Sequence, residues 1–103
     1  MEISKTLFDV AVKAEKKKKF RFVEQLNGAA MSISNNIAEG SGSPSNKEFA
    51  RYLSIARSSL FEVVNILHIY GQQNILNQEE RLGLYPQLLK LSKMLSKLRT
   101  TLT

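Results

Sequence analysis

The sequence predicts an all-α protein: an up-down antiparallel four-helix bundle that assembles as a homo-oligomer. Three observations carry that expectation. Four segments of the chain repeat apolar residues at alternating steps of four and three. Strand-like alternation is scarce. The third segment also holds more apolar residues than one buried seam requires.

The first segment places Ile3, Leu7, Val10 and Ala14 on one stripe. The run Lys16, Lys17, Lys18, Lys19 suits a helix end, because cations favour the negative end of the helix dipole. The second segment carries Phe22, Leu26, Ala29 and Ile33, thickened by Val23, Ala30 and Ile37. Gly40-Ser41-Gly42-Ser43-Pro44 cannot continue it, and Gly40 is expected to take the left-handed conformation that closes a helix. Ser45 and Glu48 have capping-box spacing and open the third helix. That helix has the clearest stripe: Phe49, Leu53, Ala56, Leu60, Val63, Leu67 and Tyr70. Gly71 is expected to end it, and Asn77 with Glu80 repeats the cap spacing. The fourth segment carries Leu84, Leu88, Leu91, Leu95, Leu98 and Leu102, with Pro86 expected to kink it or delay its start. Such a rhythm, close to 3.5 residues, keeps an apolar seam on a neighbouring helix. Tyr52, Ile55, Ile66 and Ile69 lie off the third stripe. A helix apolar around so much of its circumference is either central to a large core or buried in a subunit interface, and in a chain this short the interface is expected.

At 103 residues the chain fits a single domain, 1–103. Its 43% hydrophobic and 23% charged residues are those of a globular protein, not a disordered one. No cysteine occurs, which removes disulfides and thiolate metal sites and suits a reducing cytoplasm. The first residues lack the apolar run of a signal peptide. No stretch approaches the roughly 20 apolar residues of a membrane span, so the expected location is cytoplasmic. The net charge of +6 is uneven: +4 over residues 1–21, −1 over 22–75 and +3 over 76–103. Basic ends attract an acidic partner, nucleic acid above all, or keep a small protein soluble.

Catalytic patterns are absent from the sequence. The single histidine, His68, sits between Leu67 and Ile69, and no second His or Cys offers nucleophile–base geometry. Glu79 and Glu80 lie at a helix start, where acids complement the dipole. Gly40-Ser41-Gly42 lacks the preceding strand of a dinucleotide-binding turn, and one histidine cannot furnish two Glu-x-x-His pairs for a di-iron centre. No cofactor and no metal are expected, and the chain is read as a non-enzyme.

Two surfaces remain. Ser32 to Gly40 is the densest polar stretch. Asn36 and Glu39 either satisfy backbone groups of the turn or pair with Arg51 or Arg57, the structural role expected, or sit at an oligomer rim or contact a ligand. The basic residues form the other surface. Lys90, Lys93 and Lys97 share one face of the fourth helix. Lys16, Lys17, Lys18, Lys19 and Arg21 cluster at the end of the first, interleaved with Phe20 and Phe22 in a pattern able to meet phosphate and stack on a base. These eight cations are the candidate nucleic-acid contacts.

The run Gln25-Leu26, Ala29 to Ile33 and Asn36-Ile37-Ala38-Glu39-Gly40, followed by Glu48-Phe49 and Tyr52 to Leu60 with Glu62, resembles a bacterial four-helix bundle family. Its members are known from reading frames within intervening sequences of 23S ribosomal RNA genes. The resemblance is close over 25–62 and rests on helix pattern elsewhere. It implies an up-down bundle, a homopentamer and no established enzymatic activity. It also implies kinship with basic pentameric accessory proteins of retroelement reverse transcriptases, which are credited with nucleic-acid binding. Asn36, Glu39, Gly40, Glu48, Phe49, Ala56, Ser59 and Glu62 stand at the family's matching positions. Asn36, Glu39, Gly40, Glu48 and Arg57 are the expected turn and interface residues. Relatives tend to carry Arg where this chain has Asn27-Gly28, and a basic residue where it has Ser41-Gly42-Ser43. Any nucleic-acid surface built from those positions lacks its residues here. The expected partners are further copies of the chain, RNA or DNA, and a protein such as a reverse transcriptase acting on a scaffold; no membrane is expected.

Overall fold

A computed structural model describes residues 2–16 and 18–103. It contains α1 (Glu2–Lys16), α2 (Phe20–Ser41), α3 (Asn46–Gln72) and α4 (Gln78–Leu102). Consecutive helices pack against one another, most extensively α2 with α3. The Tyr70 hydroxyl at the end of α3 donates to the Phe22 carbonyl at the start of α2, at 2.6 Å. Lys13, near the end of α1, pairs with Glu80 at the start of α4. Neighbours therefore run antiparallel, and the fold is the predicted all-α four-helix bundle. Its long dimension of 44 Å is that of its longest helix, 27 residues at about 1.5 Å each.

The predicted stripes form the core. Leu7, Leu26, Ile33, Leu53, Leu60, Val63, Leu67, Tyr70 and Leu88 are the largest fully buried side chains. Phe22 packs edge-on against Tyr70 with ring centroids 5.8 Å apart. Ile66, expected off the stripe and in an interface, is instead buried in this core. Leu98, expected on the seam, is 40% exposed. The reason is length: α1 has 15 residues and α4 has 25, so the far end of α4 has no α1 beside it. There Ile37, Leu91, Met94 and Leu98 line an open groove. A second cleft separates α1 from α4, lined by Val10, Leu84 and Gln87 and bridged by the Lys13–Glu80 pair.

The helix ends depart from expectation in instructive ways. Neither Gly40 nor Gly71 takes a left-handed conformation, and both lie inside helices. A Cβ on Gly40 would stand 2.8 Å from Phe49 Cδ1 and 2.9 Å from Tyr52 Cβ, so the glycine is required by close approach of α3. A Cβ on Gly71 would stand 2.8 Å from Arg81 Nη1, a crossing of α3 with α4. Among the described residues the left-handed ones are Lys18 and Asn74, both with φ of 58°. Each follows a helix and turns the chain. Ser45 accepts from the Glu48 amide at 3.2 Å, but the Glu48 carboxylate turns to Arg51 rather than completing the box. Asn77 and Glu80 form the complete reciprocal box, at 2.7 and 3.2 Å. That box starts α4 at Gln78, so Pro86 does not delay it; the helix runs through the proline. Among the described residues no helix is long and apolar enough to cross a membrane.

Candidate functional site

The α4 cations occupy the face their spacing predicts. Lys90, Lys93 and Lys97 are exposed, while Leu84, Leu88 and Leu95 on the opposite side are buried. None of the three belongs to the ion pairs formed among the described residues. Lys16, Lys18 and Arg21 are exposed and Lys19 half-buried around the turn from α1 to α2; Lys17 lies outside the described residues. Phe20 beside them is 58% exposed, whereas Phe22 belongs to the core margin. The turn holds its shape through backbone bonds from Lys18 to Glu15 at 2.8 Å and from Lys19 to Ala14 at 2.9 Å.

The two clusters are not brought together. The α1–α2 turn lies at the end of the bundle where Lys13 meets Glu80. Lys90 stands ten residues further along α4, about 15 Å at helical rise. A third cluster escaped the sequence reading. Lys47 and Arg51 from the start of α3 and Arg99 from the end of α4 line one groove with Ser54 and Thr103. The guanidinium of Arg51 lies 4.6 Å from the centroid of the Tyr52 ring and 3.2 Å from a Glu48 oxygen. That carboxylate holds Arg51 above its ordinary pKa, chiefly through the hydrogen bond. These cations are separated by about fifty positions in sequence, and only antiparallel packing of α3 on α4 assembles them.

The polar stretch of α2 resolves into a chain of hydrogen bonds across the α2–α3 interface. Asn36 Nδ2 donates to the Ser32 carbonyl at 2.7 Å and reaches Ser32 Oγ at 3.2 Å. Ser32 Oγ and Ser59 Oγ lie 2.7 Å apart. Ser59 Oγ donates to the Ile55 carbonyl at 3.1 Å, so Ser32 supplies the proton between the two hydroxyls. Every donor in the chain then has an acceptor, the condition for burying polar groups between helices. Asn36 is thus held within α2, and neither it nor Glu39 pairs with Arg51 or Arg57. Glu39 is exposed. Arg57 lies over the Phe61 ring, 5.0 Å from its centroid, and its Nε finds no hydrogen-bond partner.

His68 is exposed, 3.4 Å from both the Arg81 guanidinium and the Gln72 amide. Among the described residues no three His, Cys, Asp or Glu side chains converge as metal ligands. The arrangement supplies packing ties and separate cationic surfaces.

The polar chain, the glycine under Phe49 and the α3 cap place the family-like positions in one packed element pair. The sequence model of the 23S rRNA-intervening sequence proteins matches residues 1–97. The chain belongs to that family. The match takes in α1, α2, α3 and most of α4, well beyond the 25–62 region of close resemblance. No curated protein sequence matches the chain. In this 23S rRNA-intervening sequence protein, the signature residues Gly40 and Ser59 serve the contact of α2 with α3, and Asn36 bonds within α2 to Ser32, the partner of Ser59.

Proposed function

We propose that this 23S rRNA-intervening sequence protein is a non-enzymatic, cytoplasmic, homo-oligomeric bundle that binds RNA or DNA through phosphate contacts. The observation that carries the reading is the exposed row of Lys90, Lys93 and Lys97, none of which forms an ion pair among the described residues. Cations spaced by three and four residues on one helix face present charge in a line, as a polyanion backbone requires. The α1–α2 cluster adds a second contact region at the end of the bundle.

Self-assembly is supported by the large apolar side chains left exposed among the described residues, including Phe8 and Val12 on α1 and Phe20 and Met31 on α2. Scattered single apolar residues are ordinary, but so many on a small chain favour covered faces. The resemblance supplies the number five. Five copies at +6 each would carry +30, a charge that makes polyanion association strong at low salt.

Two measurements test the reading. Sedimentation equilibrium reads the oligomer, and a monomer at all concentrations would remove that part of it. Anisotropy titrations against RNA compare the native chain with the triple variant Lys90→Ala, Lys93→Ala, Lys97→Ala. The variant is expected to bind more weakly, with a salt slope shallower by up to about 3. An unchanged slope would show that α4 does not touch phosphate.

A further inference from the structure

The least explained surface of the molecule is the groove between α3 and α4. It has a volume of about 510 Å³, a floor of Leu60, Val64 and Leu88, and walls of Phe61, Leu82 and Leu89. Those three wall residues are 52%, 50% and 56% exposed, the signature of an apolar face with nothing on it. No charged residue lines it.

Its polar atoms are unspent. Ser92, only 9% exposed, lines the groove, and its hydroxyl forms no hydrogen bond among the described residues. A helical hydroxyl ordinarily bonds back to the carbonyl four residues earlier. Ser54, Ser59 and Thr100 all do so in this chain, at 3.2, 3.1 and 2.9 Å. Pro86 also lines the groove and lacks an N–H, which leaves the Leu82 carbonyl without its helical donor. Arg57, stacked over the Phe61 wall, has an unpaired Nε.

Cations outnumber carboxylates along this seam. Lys47, Arg51 and Arg99 line the next groove toward one end together with Glu48, which is held by Arg51. Arg81 closes the seam toward the other end, against Gly71 and His68. We propose that the α3–α4 groove is a docking site for an acidic amphipathic helix of another protein. Its apolar residues would fill the space between Phe61, Leu82 and Leu89, and its carboxylates would meet Arg57, Arg51 and Arg99. A second copy of this chain fits the rims poorly, because it brings +6 to a surface that is already cationic. Phe8, Val12, Phe20 and Met31 remain outside the groove for self-assembly. The inference stands apart from nucleic-acid binding.

The test uses the full chain and a fluorescein-labelled peptide of about 20 residues, ~30 Å when helical, with Leu on one stripe and Glu elsewhere. Anisotropy at about 0.15 M salt reads its binding. Leu89→Gln and Leu82→Gln each weaken binding roughly tenfold or more, whereas Asn35→Ala on α2 leaves it unchanged. Because all three positions are exposed, thermal unfolding of the variants stays close to native. A second peptide with Ser replacing every Leu binds roughly tenfold more weakly, or less, at the same charge. Equal binding of the two peptides would overturn the proposal, since charge alone would explain it. Native binding by Leu89→Gln and Leu82→Gln would overturn it as well. So would a change in sedimentation of the chain alone on Leu89→Gln, which would place a second copy in the groove.

Discussion

Gly40 shows how a single residue can be rightly singled out for a physically different reason. In the sequence it opens a Gly-Ser-Gly-Ser-Pro run, and turn chemistry suggests a left-handed cap. In the structure it is helical and buried, and its missing Cβ admits Phe49 and Tyr52. Gly40→Ala is therefore expected to destabilise the bundle by about 1–3 kcal/mol, the range for overpacking, despite the better helix propensity of alanine. Thermal unfolding measures it; a raised melting temperature would show that α3 yields freely at this point. Tyr70 makes a second prediction. Burial pushes its hydroxyl from 10.0 up to about 12. The folded state holds this proton more tightly than the unfolded chain, so the stability involved is complete below pH 10.0 and is lost as pH rises toward 12. Tyr70→Phe should flatten that alkaline loss while costing about 1 kcal/mol at neutral pH through the bond to Phe22. Denaturant melts across the alkaline range check both signs. Ser59→Ala removes the acceptor for Ser32 and should cost about 1–2 kcal/mol.

At the scale of helices, most of the architecture was legible, because period and caps are local. The alternation of three and four residues places Leu7, Leu26, Leu53, Leu60, Leu67 and Leu88 correctly in the core. Ser45 and Asn77 cap the helices where spacing predicts. Which box closes was not legible, since Glu48 has a competing partner in Arg51 three residues on, and Glu80 has none on its own helix. Asn77→Ala should cost about 1 kcal/mol, and Ser45→Ala no more than that. Measured helicity and melting temperature would reverse this order if the Glu48 carboxylate mattered more than the backbone bond. Periodicity also could not place Leu98 and Ile66. A stripe says which side of a helix is apolar, but the length of the neighbour decides how much of that side is covered. The short α1 uncovers Leu98, and the position of Ile66 between stripes is absorbed by the core.

For the whole molecule, counting charge along the chain was a poor guide to charge in space. The segment 22–75 sums to −1, yet it contributes Lys47 and Arg51 to a cationic groove completed by Arg99. Lys16, Lys18 and Arg21 near the α1–α2 turn and the three lysines of α4 are exposed, Lys19 is half-buried and Lys17 lies outside the described residues, and packing sets the two groups apart rather than in one patch. The two lysine clusters were thus legible in the sequence as candidate residues, while the third surface and the separation of all three needed the fold. A consequence is that charge removal should act in steps. Neutralising the α4 row or the α1–α2 cluster alone should each reduce the salt slope by a few units, and the two losses should add because the sites lie apart.

The central claim is that these surfaces serve a nucleic acid and are more than a source of solubility. Fluorescence anisotropy against a structured RNA, a duplex DNA and heparin, each titrated through about 0.15 M salt, tests it most directly. The account predicts that binding to one nucleic acid survives there while heparin binding is lost. Equal affinity for all three, vanishing together as salt rises, would contradict it.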